Sequence, residues 1–352
     1  MLRRRLSELA TELGCVGFGI TTADPFPEVA ATMRRRIEDG TRAGLAFTYT
    51  DVEAATDPRR THPWANSLIS VAHPYVPGAS ETEHEPPGTL RIARFAERDH
   101  YQPLRDALDA LAALVEDDGF RAVVLADDSR LVDRAAAVRA GVGWWGKSTM
   151  VLVPGSGPWV LLGSVVTDAL LDPDQAMRRT CGTCVACIPA CPTGAITEAG
   201  SLDARRCLAY WLQAPGVIPQ ELRSAVGDRL YGCDDCLTAC PPGRPALDRS
   251  VDLPVRPTIR HILGADDATL LDAYRHFYLP GRRPRILRRN ALVAAGNDRS
   301  PALLNPVVGY LGHPDWLLRS HAAWAVGRFD DPIAGAALEA ALATEEIGRA
   351  HV

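Results

Sequence analysis

Eight of the nine cysteines fall between Cys181 and Cys240, leaving only Cys15 outside. Cys181-x-x-Cys184-x-x-Cys187-x-x-x-Cys191-Pro192 has the spacing of bacterial two-cluster ferredoxins, in which three thiolates hold one 4Fe-4S cluster and the fourth reaches the other. A second set, Cys233-x-x-Cys236-x-x-x-Cys240-Pro241, is one thiolate short, and Cys207 supplies it. The crossover rule puts Cys181, Cys184, Cys187 and Cys240 on one cluster and Cys191, Cys207, Cys233 and Cys236 on the other. Paired Cys-x-x-Cys also builds tetrahedral zinc sites, but the threefold run followed by proline favours iron. Two clusters mean electron transfer.

A second motif competes for attention. Gly141-Val-Gly-Trp-Trp-Gly146-Lys147-Ser148 satisfies the P-loop pattern letter for letter. A P-loop needs a strand before it and a helix after it, whereas this stretch follows the Ala-rich helix expected at 134–140 and runs into an apolar strand at 149–153. Trp144 and Trp145 would crowd a phosphate cradle, so they read better as a flat aromatic edge that could floor a cofactor pocket. Lys147 stands beside them, the single lysine among 38 basic residues. Asp127-Asp128 closes a strand nearby in sequence; a carboxylic acid in an apolar pocket has a raised pKa and can deliver a proton. The alternative for Asp128 or Ser129 is capping a helix that carries Leu131 and Val132.

These residues need elements to hold them. Leu2, Leu6, Leu9 and Leu13 predict an opening amphipathic helix, residues 68–72 a buried strand, Leu104, Leu108, Leu111 and Leu114 another helix, and residues 123–125 a strand. Thr149–Val153 and Trp159–Thr167 predict two more, joined by the Pro-Gly-Ser-Gly-Pro turn at 154–158. This alternation indicates an α/β domain over 1–172. From 173 to 250, Cys, Pro and Gly punctuation replaces periodicity, as expected of a ferredoxin-like module folded around its inorganic centres. Over 251–352 helical patterns return, and Arg288–Gly296 aligns with Arg319–Gly327 at an offset of 31 residues, which predicts helical-pair repeats. With 47% apolar and 23% charged residues, the chain excludes a disordered protein. A net charge of −5 argues against a wholly basic nucleic-acid coat. No apolar run reaches the length of a membrane span, and Glu8 and Glu12 interrupt any signal peptide, so a cytoplasmic, membrane-free location is expected. Cys15 is expected to be a small buried residue.

Taken together, the motifs resemble the epoxyqueuosine reductase family over nearly the whole chain. The resemblance is carried by Asp57-Pro58-Arg59, Ser67–Ser70, Ile92–Ala96, Asp99-His100-Tyr101, Asp127–Arg134, Ala140–Lys147 and the cysteine set. It implies a cobalamin-binding α/β domain, a double-cluster module and a HEAT-like tail, together reducing an epoxide to an alkene in the anticodon loop of tRNA. It also implies cobalamin fed with electrons by two 4Fe-4S clusters and an external donor of flavodoxin or ferredoxin type. Asp127 would then be the proton donor, with Asp128 as fallback, and Asp99, His100 and Tyr101 would line the substrate side. Trp144, Lys147, Met150, Asp234 and Asp235 would lie against the corrin. Arg282, Arg283, Arg285, Arg288 and Arg289 would meet tRNA phosphates, and the protein would act as a monomer. Two alternatives stand beside this reading: a cobalamin and iron-sulfur reductase of a small molecule, as in dehalogenases, and a plain electron-transfer iron-sulfur protein.

Overall fold

Residues 1–75, 87–247 and 256–345 are described by a computed structural model. The chain divides into two units, each assembled from three stretches. Met1–Ala79, Asp99–Arg205 and Asp235–Val251 form the first, and Ser80–Arg98, Arg206–Asp234 and Asp252–Val352 the second.

In the first unit, four strands, β1 (Gly17–Thr22), β2 (Ser67–Pro74), β3 (Ala122–Leu125) and β4 (Val160–Thr167), make one sheet in the order β1-β2-β4-β3. The two central strands are buried on both faces, which is why they read as unbroken apolar runs: Leu68, Ile69, Val71, Ala72, Val165 and Val166 are wholly inaccessible. Ser70 and Ser164 face each other in register, and their hydroxyls bond at 2.8 Å, so the polar atoms inside this core satisfy one another. Helices α1 (Leu2–Glu12), α2 (Tyr101–Asp117) and α3 (Asp133–Arg139) pack around the sheet. Helix and strand alternate as expected, but every pairing in the sheet is antiparallel. The strand-end rule for ligands in parallel sheets therefore does not locate a site here.

Two local expectations change. The strand predicted over 149–153 contracts to Val151–Leu152, because Thr149 adopts φ +68°, a left-handed turn conformation. That short strand pairs with Trp144–Trp145, making a hairpin. No helix follows Lys147, which removes the P-loop reading. The motif's glycines serve the hairpin instead: a Cβ on Gly143 would come within 2.5 Å of the Leu152 carbonyl oxygen. The helix expected to carry Leu131 and Val132 begins only at Asp133, so neither Asp128 nor Ser129 caps it.

The second unit is built on helices α4 (Arg285–Asp298), α5 (Pro301–Val308), α6 (Trp316–Val326) and α7 (Pro332–Thr344). The 31-residue internal repeat maps onto α4 and α6, which cross so closely that a Cβ on Gly296 would lie 2.6 Å from the Trp324 ring. Aligned positions do the same work in both copies. Arg288 pairs with Asp267 and donates to the Ala265 carbonyl, while Arg319 pairs with Glu345 and donates to the His313 carbonyl. Asn290 donates to the carbonyls of Leu212 and Leu230, and its counterpart His321 accepts the Ile218 N–H through Nε2. His321 is wholly buried, and burial, with Arg223 and Arg289 adding, pulls it down to about 3. It is therefore a neutral spacer whose Nδ1 faces the Leu317 carbonyl.

Candidate active site and cluster cavity

The cysteines at 181, 184, 187 and 240 converge. Together with Trp144 and Lys147 they line a cavity of about 140 Å³ in the first unit. Burial pushes the Cys240 thiol up to about 11, with Cys181, Cys187 and Cys184 adding their charges, as expected of four sulfurs facing one another. A zinc ion would draw its ligands to about 2.3 Å of one point. Four thiols around one cavity, three of them at the Cys-x-x-Cys-x-x-Cys spacing, are a donor set that fits a 4Fe-4S cluster. The chain beyond Cys240 is pinned from behind, where Trp159 Nε1 donates to the Gly243 carbonyl at 3.1 Å.

Of the remaining cysteines, Cys191 ends the short helix Cys187–Ala190. Burial pushes its thiol up, but N–H groups of Thr193, Ala195 and Ile196 and the Thr193 hydroxyl outweigh this and hold it below its ordinary value, a setting that suits a thiolate. Cys236 lies in the helix Asp235–Thr238 of the first unit, and Cys207 and Cys233 belong to the second unit. Cys15 is half-buried, and burial pushes its thiol up to about 11.

Strand alternation separates the two tryptophans. Trp144 turns into the cluster cavity and is 8% exposed, whereas Trp145 is 43% exposed. The continuous aromatic edge expected from the sequence is therefore split between two faces. Lys147 does not point free into a cofactor pocket either: its ammonium lines the cluster cavity and donates to the Gly182 carbonyl at 2.7 Å. Met150 is half-buried at the end of the hairpin turn, where its carbonyl accepts the Gly146 N–H.

The acid pair sits on a constrained loop. Asp127 takes φ +52°, a left-handed conformation that is strained for any residue but glycine. Its carboxyl is pushed up by desolvation, with Asp128 adding and Arg105 opposing. Asp128 behaves oppositely: Arg130 donates to both of its oxygens, through Nε at 2.9 Å and an Nη at 2.7 Å, and holds its carboxyl below the usual range. Two neighbouring carboxyls are thus driven apart, and the one left protonated more readily is Asp127. Beneath them lies Asp133, which the sequence reading missed. Its carboxyl is pushed well above the usual range by burial and by the nearby charge of Asp127, and its Oδ1 is buried without a hydrogen-bond partner. An acidic residue opening an otherwise Ala-rich helix was the available signal. Arg134 then ties this helix start to the hairpin by donating to the Thr149 carbonyl at 3.0 Å.

Asp99, His100 and Tyr101 fall at the start of α2. Asp99 accepts the Gln102 N–H, a capping contact, and the His100 ring lies 5.9 Å from that of Tyr75. Tyr101 is covered by Arg105 at 5.5 Å, the same arginine that opposes the raised pKa of Asp127, so this end of α2 faces the acid loop. Asp234 and Asp235 separate: Asp234 accepts the Arg94 N–H at 2.6 Å in the second unit, and Asp235 opens a helix of the first.

The basic cluster is corrected by burial. Arg289 is 0% exposed, and its guanidinium donates to the carbonyls of Trp211, Ala214 and Gly216 and to Asn290 Oδ1. Burial, with Arg285 and Arg223 adding, pulls it down to about 9. It cannot reach a phosphate. Arg288 is tied to Asp267, and Arg285 donates to Asp315 at 3.2 Å. Arg282 and Arg283 are the exposed members of the set.

Comparison with known proteins gives these features a family. Residues 56–128 match the description "Epoxyqueuosine reductase QueG, DUF1730", residues 180–243 a 4Fe-4S double cluster binding domain, and residues 280–351 HEAT repeats. The epoxyqueuosine reductase of Bacillus subtilis is 31% identical over 362 residues, covering 98% of this chain and 92% of that one. The chain belongs to the epoxyqueuosine reductase family. The Vibrio cholerae enzyme is also 31% identical, over 92% of this chain and 91% of that one. An epoxyqueuosine reductase solved with an epoxyqueuosine-modified tRNA-Tyr stem loop superposes with a TM-score of 0.91 at 29% identity, covering 98% of this chain and 94% of that one. A Bacillus subtilis structure whose catalytic loop is swung out of the active site superposes with a TM-score of 0.89 at 28% identity, over 98% and 95% of the two chains. As a family member the chain is an iron-sulfur oxidoreductase. Among the described residues, no helix is long and apolar enough to cross a membrane.

Proposed function

We propose that this protein reduces epoxyqueuosine to queuosine within the anticodon loop of tRNA, using two 4Fe-4S clusters and cobalamin. The reading is carried by likeness, across 98% of the chain, to the reductase solved with the modified stem loop. Conversion of an epoxide to an alkene consumes two electrons and two protons and releases water. Cobalamin, when bound, supplies the reducing cobalt centre.

The chain's own residues supply the rest. Cys181, Cys184, Cys187 and Cys240 would hold one cluster, and Cys191, Cys207, Cys233 and Cys236 the other, which when bound would supply a relay for electrons from a flavodoxin- or ferredoxin-type donor. Desolvation favours the neutral form of Asp127, which delivers its proton to the departing oxygen. Asp128, locked to Arg130, stays ionised and is not the acid. Arg105 and Tyr101 flank the acid on the substrate side. The hairpin offers the corrin an exposed Trp145 and a half-buried Met150, joined to the acid loop through Arg134. Arg282 and Arg283 contact tRNA phosphates. In sequence, 1–172 carries the corrin and acid, 173–250 all eight cluster ligands, and 251–352 the repeats.

The test is nucleoside mass spectrometry of epoxyqueuosine-containing tRNA after anaerobic incubation with reconstituted protein, cobalamin and a low-potential reductant. Queuosine is expected. No conversion, with clusters and corrin present by their spectra, would transfer the reading to a reductase of another substrate.

A further inference from the structure

Trp144 presents an anomaly that the reaction above does not use. Its indole is more than nine-tenths buried, and Nε1 has no hydrogen-bond partner among the described residues. A buried N–H left without an acceptor costs about 1–3 kcal/mol, so a persistent one implies an acceptor that the polypeptide does not supply. The cavity this side chain lines is the one surrounded by Cys181, Cys184, Cys187 and Cys240. Arg179 lies over the indole ring at 5.6 Å, and the ring's strand pairs with Val151–Leu152, which together fix its position. On the same cavity wall, the Lys147 ammonium is anchored by Gly182, between the first two cysteines of the run. The chain's single lysine is thus held where positive charge faces the thiolates.

We propose that Trp144 and Lys147 set the reduction potential of the cluster held by Cys181, Cys184, Cys187 and Cys240, the indole N–H donating to a cluster sulfur and the ammonium compensating its charge. Reduction adds one electron to a centre that is already anionic with its four thiolates. Hydrogen bonds to sulfur and nearby positive charge stabilise the reduced form more than the oxidised one, and both raise the potential. The inference rests on the iron-sulfur reading of these four thiols. It assigns Trp144 to the cluster instead of to a corrin floor.

The test uses full-length protein reconstituted anaerobically, with iron and sulfide counted before a dithionite titration followed by electron paramagnetic resonance. Trp144→Phe keeps an aromatic ring and removes only the donor. One of the two cluster signals should become harder to reduce, by about tenfold in the reduced-to-oxidised ratio at fixed poise, equivalent to about 59 mV for a one-electron couple. The other signal should stay in place, and Lys147→Met should move the same signal in the same direction. Fully loaded variants with unmoved potentials would overturn the proposal. Wild-type protein that takes up no 4Fe-4S cluster would instead overturn the iron-sulfur reading. A measurement free of any substitution covers a variant that fails to load: wild-type protein carrying ¹⁵N-indole tryptophan should show a ¹⁵N electron-nuclear coupling to the reduced cluster, and its absence would overturn the assignment equally.

Discussion

The cluster cavity and the Asp127 loop belong to the same unit of the chain but are held in different ways. The cavity gathers four thiols from two short Cys-rich turns, backed by buried aromatic rings and the Trp159–Gly243 bond, so its geometry is prepared in advance. The loop depends on a left-handed aspartate, an arginine that neutralises its neighbour, and a buried carboxyl with one oxygen unsatisfied. Electron transfer needs a fixed site of low reorganisation, whereas proton delivery to a bulky substrate gains from a segment that can give way.

The contrast can be broken most severely at the thiols. Cys187→Ser should remove one cluster, leaving roughly four irons of eight and no measurable turnover; full iron content by chemical assay would contradict the grouping. The loop should fail differently. Asp127→Asn should keep both clusters and lower turnover by about 10²–10⁴. Because the protonated form is the active one and burial raises the pKa, wild-type single-turnover rates should decline as pH rises through that raised value. The variant's profile should be flat there, and an unchanged slope would remove Asp127 as the acid.

Smaller effects belong to the arginines. Arg289→Met leaves three carbonyls without their donor and should cost about 3 kcal/mol in urea unfolding, against little for Arg282→Met. Arg282→Glu with Arg283→Glu should weaken binding of the tRNA stem loop about tenfold at low salt and flatten its salt dependence by about two contacts. Unchanged affinity would send the tRNA surface elsewhere.

Legibility in the sequence followed the range of the interaction. Cysteine spacing is local and dictated by cluster geometry, so the thiols now grouped around one cavity could be assigned from their intervals. The 31-residue repeat was visible for the same reason, and it corresponds to the HEAT match over 280–351. The antiparallel sheet was not, because pairing direction depends on connections between distant strands. The parting of Trp144 from Trp145 required knowing that Thr149 turns left-handed and closes a hairpin. Arg289 looked like one more surface cation because the carbonyls it serves lie more than 70 residues earlier in the chain. The resemblance favoured Asp127 over Asp128, but the physical difference between them lies in Arg130, which clasps only Asp128.

The bonds from Arg289, Asn290 and His321 to the backbone of residues 211–230 bear on how this enzyme can be taken apart. Cys207 and Cys233 bracket that stretch. The tail is therefore no detachable handle for nucleic acid. Trimming it to obtain a minimal reductase, or grafting it onto another scaffold, would strip the inner support from the segment that these two cysteines flank. Any exchange of modules within this family has to carry that segment and its repeats together.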